Sequence, residues 1–279
     1  MINSSAVRLD DTDVAVAAAG AGSDVVRTLY GRRLARIDKG DGDFATAADV
    51  AAEQAILDVL RTARPDDAVL GEESGRQGAA DAARRWLVDP LCGTLNYAAG
   101  TMVVAVNVAL RDGAAAVADP FSGEVFFTDG RAAWVRRGCE GGGDGEGEGE
   151  GGADGEGSVT PTPATGLVDV NLDPPFPSAP GFRAVDLLAH PGFVERFRPR
   201  VVSSTLALAW VAAGKRAAYV TDGGDLSGSV HFAAGIALCR AAGCVVTGID
   251  GGPVGAGGRG LVAAADAGTH EQLMSMIRG

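Results

Sequence analysis

The spacing of apolar positions changes several times along this 279-residue chain, and each change marks an element. Thr12 to Gly31, TDVAVAAAGAGSDVVRTLYG, keeps one apolar face at helical spacing and stops at a glycine, which predicts a helix. RLARIDKGDGDFATAAD is polar and turn-rich, a link that can form a hairpin. AADVAAEQAILDVLRTARP predicts a second helix, ended by Pro65 because proline has no N–H to continue the ladder. DAVLGEES then predicts a short strand ending at Glu72 and Glu73, and RRWLVDP another ending at Asp89. MVVAVNVALRDG, AAAVADP, EVFFTDG and AAWVRRG are strand-like runs. Asp-Gly, Asp-Pro and Ser-Gly turns divide them, which predicts an antiparallel sheet.

The pattern breaks at Gly138 to Ser158, GCEGGGDGEGEGEGGADGEGS. Nothing there can bury enough apolar surface to offset the entropy of ordering, so a disordered surface loop is expected. Beyond it, TGLVDVNL predicts a strand and FRAVDLLAHPGFVERF a helix. PRVVSSTLALAWVAAGKRAAYVTDGG predicts strand, helix and strand. SGSVHFAAGIALCRAAGCVVTGIDGG predicts a capped helix, a glycine stop and a strand, and GRGLVAAAD and THEQLMSMIRG close with a strand and a helix. Strands alternate with helices throughout, so the class is mixed, α/β or α+β. Residues 1–137 form an N-terminal half and 159–279 a C-terminal half, expected to pack as one compact unit around the 138–158 loop.

Composition narrows the function classes. A hydrophobic content of 46% supports one large core or two packed halves. No apolar run reaches the roughly 18 residues that span a bilayer. The start, MINSSAVRLDDTD, has neither the basic nor the apolar part of a secretory signal, so a cytoplasmic protein without membrane attachment is expected. Cys92, Cys139, Cys239 and Cys244 show no close metal-ligand spacing, and free thiols are the default. The net charge is −12, but Glu140 to Glu156 holds seven acids and no base, and without them about −5 remains. There is no basic stripe and no run of aromatics, which argues against nucleic-acid binding.

The candidate chemistry lies at element ends. Asp49 sits near the start of a helix, and Glu72 and Asp89 each follow a strand. Hard divalent cations are held by several oxygens from separate segments, and these three acids supply such a set. Ser203, Ser204 and Thr205 stand where a helix begins; they suit either an anion or a plain N-cap.

In order, the blocks are Gly71-Glu72-Glu73-Ser74, Asp89-Pro90-Leu91-Cys92-Gly93-Thr94-Leu95-Asn96-Tyr97, and Val230-His231-Phe232-Ala233-Ala234-Gly235. This order resembles the inositol monophosphatase family of lithium-sensitive, Mg2+-dependent sugar phosphatases, over essentially the whole chain. The resemblance implies a layered α-β-α-β-α sandwich. It implies that Glu72, Asp89 and the Leu91 carbonyl hold a first Mg2+, and that Thr94 orients the attacking water. It makes Asp49 an outer acid tied to a further, weaker metal and Lys39 a basic residue near the early loop. It has Gly93 and Thr94 offer backbone N–H groups to the phosphate. Asp222 and Asp225, ahead of the late helix, are candidates for substrate hydroxyls, or are turn residues. A small phosphorylated metabolite is the implied partner, and a homodimer the implied assembly.

The departures from the family pattern fall together. Cys92 and His231 replace two aspartates that hold the second metal, Val230 replaces a tryptophan, and Ser203 stands where glycine is usual. Three readings follow. The site has decayed into a weak phosphatase or a binder of a phosphorylated metabolite. Or the ligands have been exchanged, and Asp89, Cys92 and His231 take Zn2+ or Mn2+. Or the chemistry is new, with His231 as general acid or base, or Cys92 as nucleophile beside it.

Overall fold

The structure is a computed structural model that describes residues 9–40, 43–138, 155–173, 182–226, 228–255 and 259–279. Its N-terminal half runs α1 (Asp11–Leu29), β1 (Arg36–Gly40), β2 (Asp43–Thr46), α2 (Ala47–Ala63), β3 (Ala68–Gly71), β4 (Gly75–Gln77), β5 (Arg85–Cys92), α3 (Thr94–Ala98), β6 (Ala105–Leu110), β7 (Ala115–Ala118), β8 (Glu124–Thr128), β9 (Ala133–Arg137) and β10 (Glu156–Ser158). The C-terminal half runs β11 (Leu167–Asn171), α4 (Ala184–Ala189), α5 (Pro191–Arg196), β12 (Arg198–Val201), α6 (Leu206–Ala212), β13 (Ala218–Thr221), α7 (Ala233–Ala242), β14 (Val245–Thr247), β15 (Leu261–Ala264) and α8 (Ala267–Arg278).

Period-2 alternation in the strands sorts side chains into three cores. Val106 and Val108 of β6 join Trp86 and Val88 of β5 under α1 and α2, with Val14, Ala18, Ile56 and Leu60. Ala105 and Ala109, on the other face of β6, join Phe126 and Val135 against Leu206, Leu208 and Ala209 of α6 and Leu238 of α7. The same core takes Leu261 and Ala263 of β15, whereas Val262 and Ala264 face a third core with Leu187, Phe193 and Leu273. The result is helices, sheet, helices, sheet, helices, with α6 and α7 in the middle layer. That layer is tight: a Cβ on Gly235 would lie 2.7 Å from Leu208 Cδ1.

The first sheet has eight strands in the order β10-β9-β8-β7-β6-β5-β3-β4, and the second has five in the order β12-β11-β13-β15-β14. From β5 to β10 the pairing is antiparallel, as the turn spacing predicts for β6 to β9, while β3 runs parallel to β5. β1 and β2 form the predicted hairpin. Other expectations need correction. The single helix predicted over FRAVDLLAHPGFVERF is two, broken where Pro191 begins α5 and His190 turns extended. α7 has no side-chain cap, contrary to the capped helix expected there. Of the 138–158 segment, residues 139–154 lie outside the described residues, but Glu156–Ser158 is an edge strand paired with β9 and not loop.

Candidate active site

Strand register brings the acids together. In the parallel β3–β5 pair Gly71 is level with Val88, and the Glu72 N–H donates to Val88 O at 3.1 Å. Glu72 therefore follows β3 next to Asp89. On its other side β5 pairs with β6, with Asp89 opposite Asn107, and then the register shifts before Cys92 reaches Ala105. A bulge of this kind re-aims side chains at a strand end. Here it turns the chain so that the Leu91 N–H reaches Asp89 Oδ1 at 3.1 Å. Gly93 completes the turn at φ 103°, and a Cβ there would press on Val103 O at 3.0 Å and Ser203 O at 3.1 Å. Only glycine fits both the dihedral and the space.

Two cations of the chain face the acids. Lys39 Nζ donates to Glu72 Oε1 at 2.9 Å and Glu73 Oε1 at 2.7 Å. His231 Nδ1 lies 2.8 Å from Asp89 Oδ2 and 3.9 Å from Glu72 Oε2. Burial, with the charge of Asp89, pushes the Glu72 carboxyl up to about 8. Burial opposes ionisation of Asp89 as well, but His231 holds that carboxyl below its ordinary value. Burial also opposes protonation of His231, and the charge of Asp89 overrides it and carries the imidazole up to about 9. The crowding of carboxyls is thus met by the protein's own cations, Lys39 and His231.

Cys92 meets Asp89 and His231 here: their ligand atoms all lie within 4.8 Å of one another. The Thr205 N–H donates to Cys92 Sγ at 3.3 Å. Burial and the Asp89 charge push the thiol well above its ordinary pKa. A neutral thiol is a poor nucleophile, and His231 Nδ1 is already paired with Asp89, so the pairing of Cys92 as nucleophile with His231 as its base is not assembled.

Thr94 Oγ1 lies 2.9 Å from Asp49 Oδ1 and 3.1 Å from Leu91 O. Asp49 is fully buried at the third position of α2, where its Oδ2 accepts from the Thr46 N–H at 2.7 Å and the Thr46 hydroxyl at 2.6 Å. Both its oxygens take protein donors, and Thr94 links Asp49 to the glycine turn.

The remaining candidates lie on the C-terminal side of the cleft. Ser204 and Thr205 are buried. The Ser204 hydroxyl points to Cys92 O at 3.4 Å, and the Thr205 hydroxyl accepts from Asn107 at 2.9 Å. The Ser203 hydroxyl donates to Asp173, and Ser203 O accepts from Asn96 Nδ2 at 2.8 Å. Asp222 is buried, and its Oδ2 accepts from Arg183 at 2.5 Å and from the Ala184 N–H at 2.9 Å, at the start of α4. Asp225 is exposed on the loop leading to α7.

Sequence reasoning missed two residues that build this site. Glu53 is buried, and its carboxylate accepts from the N–H groups of Glu73 and Ser74, both at 2.8 Å, which fixes the turn carrying Glu72. Asn107, fully buried, gives its amide N–H to Thr205 at 2.9 Å and Asp89 at 3.4 Å, and its Oδ1 has no partner among the described residues. The signals were present: an acid four residues after Asp49 on an apolar helix face, and a lone amide inside AVNVAL.

Known proteins resemble this chain in sequence and fold. A profile of the inositol monophosphatase family matches residues 9–278. The inositol-1-monophosphatase of Caulobacter vibrioides is 31% identical over 226 residues, 76% of this chain and 78% of that protein. The inositol-1-monophosphatase ImpA of Mycolicibacterium smegmatis is 32% identical over 250 residues, 87% of this chain and 83% of that protein. The crystal structure of the extragenic suppressor protein suhB from Bartonella henselae superposes with a TM-score of 0.75 at 25% identity, over 95% of this chain and 98% of that one. With the acids, the bulge and the glycine turn in the expected order, these matches establish that the chain belongs to the inositol monophosphatase family.

Proposed function

We propose that the protein is a metal-dependent phosphatase that hydrolyses the phosphate monoester of a small polyol, sugar or related metabolite. The observation that carries this reading is the meeting of Glu72 and Asp89 with the Thr94–Asp49 pair at one glycine turn. The donors fit a hard divalent ion: two carboxylates and a carbonyl, with the Glu72 carboxyl pushed up to about 8 by burial and by Asp89. Glu72, Asp89 and the Leu91 carbonyl would hold Mg2+. When bound, that ion supplies charge neutralisation at the phosphate and a more acidic water.

The chain's own part is positioning. The Thr94 hydroxyl donates inward, toward Asp49 and Leu91 O, and keeps a lone pair to accept from a water and aim it. Backbone N–H groups of Gly93 and Thr94 complement the phosphate, and Lys39 adds positive charge beside Glu72. In the same reading Asp89, Cys92 and His231 are a second, softer set for Zn2+ or Mn2+. The protein works as a cytoplasmic homodimer on a small metabolite, without nucleic acid or membrane.

One observation favours a second reading. Lys39 and His231 already neutralise the acids, as a binder of phosphorylated metabolites without turnover would need. Phosphate release from a panel of inositol, fructose and adenosine phosphates decides, with Mg2+, Mn2+ and Zn2+ each supplied. Release that falls at least about a hundredfold in Glu72→Gln is the expected result. No release with any ion, together with thermal stabilisation by a sugar phosphate, would overturn hydrolysis in favour of the binder.

A further inference from the structure

We infer that Asp89, Cys92 and His231 form a Zn2+ site that joins the two halves of the molecule and keeps one coordination position open to the cleft. The inference rests on the reading of this cleft as a cation site and commits its second ligand set to a thiolate-binding metal. The three ligand atoms are already within 4.8 Å of one another, so a tetrahedral ion needs only small side-chain adjustments. The donor types decide the metal. Mg2+ takes oxygen ligands, whereas one thiolate, one imidazole and one carboxylate are the ligand types of zinc. Asp89 and Cys92 as anions, with neutral His231, cancel the charge of the ion.

The surroundings are built for such a site. The Thr205 N–H points at Cys92 Sγ, the donor a bound thiolate needs. Asp89 is fixed through Oδ1 by the Leu91 N–H and through Oδ2 by Asn107, and Asn107 is itself anchored on Thr205. Outer partners of this kind orient ligands, and their loss typically weakens metal affinity 10–100-fold. The His231 side chain is 43% exposed, which leaves the side of the ion facing solvent free of protein. Asp89 and Cys92 belong to β5, and His231 stands just before α7, so the ion ties the N-terminal sheet to the middle layer.

Co2+ is the probe, because it reports thiolate ligation directly. The full-length protein, made without a histidine tag and freed of metal, is titrated with Co2+ and then with Zn2+ or Mg2+. We expect one Co2+ bound with a thiolate-to-cobalt charge-transfer band in the near ultraviolet, displaced by Zn2+ and not by Mg2+. The band should vanish in Cys92→Ser and persist in Cys239→Ser. Zn2+ affinity should fall at least about tenfold in His231→Ala. Should Cys92→Ser fail to fold by circular dichroism, Cys92→Asp carries the test: it keeps an anionic ligand, loses the band and shifts preference toward Mg2+. A wild type without the band, or a band that survives loss of the Cys92 thiol, overturns the site. If phosphate is still released with Mg2+ in that case, the hydrolytic reading stands alone. A Cys92-dependent band without release under any ion supports the site and sinks hydrolysis.

Discussion

At the scale of single residues, charge and burial set what each group can do. Glu72 and Asp89 stand close enough that burial and mutual repulsion push the Glu72 carboxyl up to about 8, and Lys39 and His231 answer that charge from opposite sides. Thr94 has a different task. Its hydroxyl is held by Asp49 and Leu91 O, so its orientation is fixed before substrate arrives. Removing it takes away that orientation and a hydrogen bond to Asp49, and leaves Glu72 and Asp89 unchanged. Thr94→Ala should therefore lower kcat by about 10²-fold while KM stays near the wild-type value. Thr94→Ser, which restores the hydroxyl, should recover most of the loss. Steady-state kinetics on the best substrate of the panel checks both, and a Thr94→Ala enzyme as fast as wild type would show that the water is aimed by another group.

Elements carry these residues into register, and here the buried supports matter more than the exposed ligands. Glu53 stands one helical turn after Asp49 on α2 and spends both carboxylate oxygens on the Glu73 and Ser74 N–H groups. Close packing leaves it no alternative position, since a Cβ on Gly71 would lie 2.7 Å from its carboxyl carbon. Glu53→Ala takes the acceptor from two backbone donors of a partly buried turn and should cost about 2 kcal/mol. Glu53→Gln keeps one acceptor and should cost less. Urea unfolding reads this as a lower midpoint at constant m-value, and an unshifted midpoint in Glu53→Ala would remove Glu53 from the scaffold. This support also shows what the sequence makes legible. Helices α1, α2, α6, α7 and α8 stand where apolar period predicts them. Glu72 was readable because it follows a strand and Asp89 because the apolar run of β5 stops there, whereas Thr94 was reached only through the resemblance to the family. Glu53 and Asn107 were not readable, because each looks like an ordinary polar residue until its partners arrive from 20 or 98 positions away. β4 and β10 were missed for a similar reason: three polar or glycine-rich residues become strands only when a neighbouring edge pairs with them. Pro191 was visible, but the run around it kept helical spacing, and the break shows only where His190 turns extended.

Across the whole molecule, the site is a product of two halves that share one middle layer. His231 meets Asp89, the Thr205 N–H meets Cys92, and Asn96 meets Ser203 O, so these three contacts of the cleft each pair a residue of the first half with one of the second, while Thr94 and Lys39 take their partners within the first half. The apolar layer beneath does the same. Leu208 of α6 is fully buried in the core that also holds Ala105, Phe126 and Val135 of the first sheet. If neither half can cover its inner face alone, unfolding has to expose both faces together, and the chain should melt as one cooperative unit. Leu208→Ala tests this, because it leaves a cavity in the shared layer and touches no charged group. It should cost about 3 kcal/mol. Trp86 reports on the first half and Trp210 on the second, each followed in a variant that keeps only that tryptophan. Both probes should shift to lower urea by the same amount and remain coincident. A Trp210 transition that moves while the Trp86 transition stays in place would mean that the first half stands without the second, and that the cleft is lost before the first half unfolds.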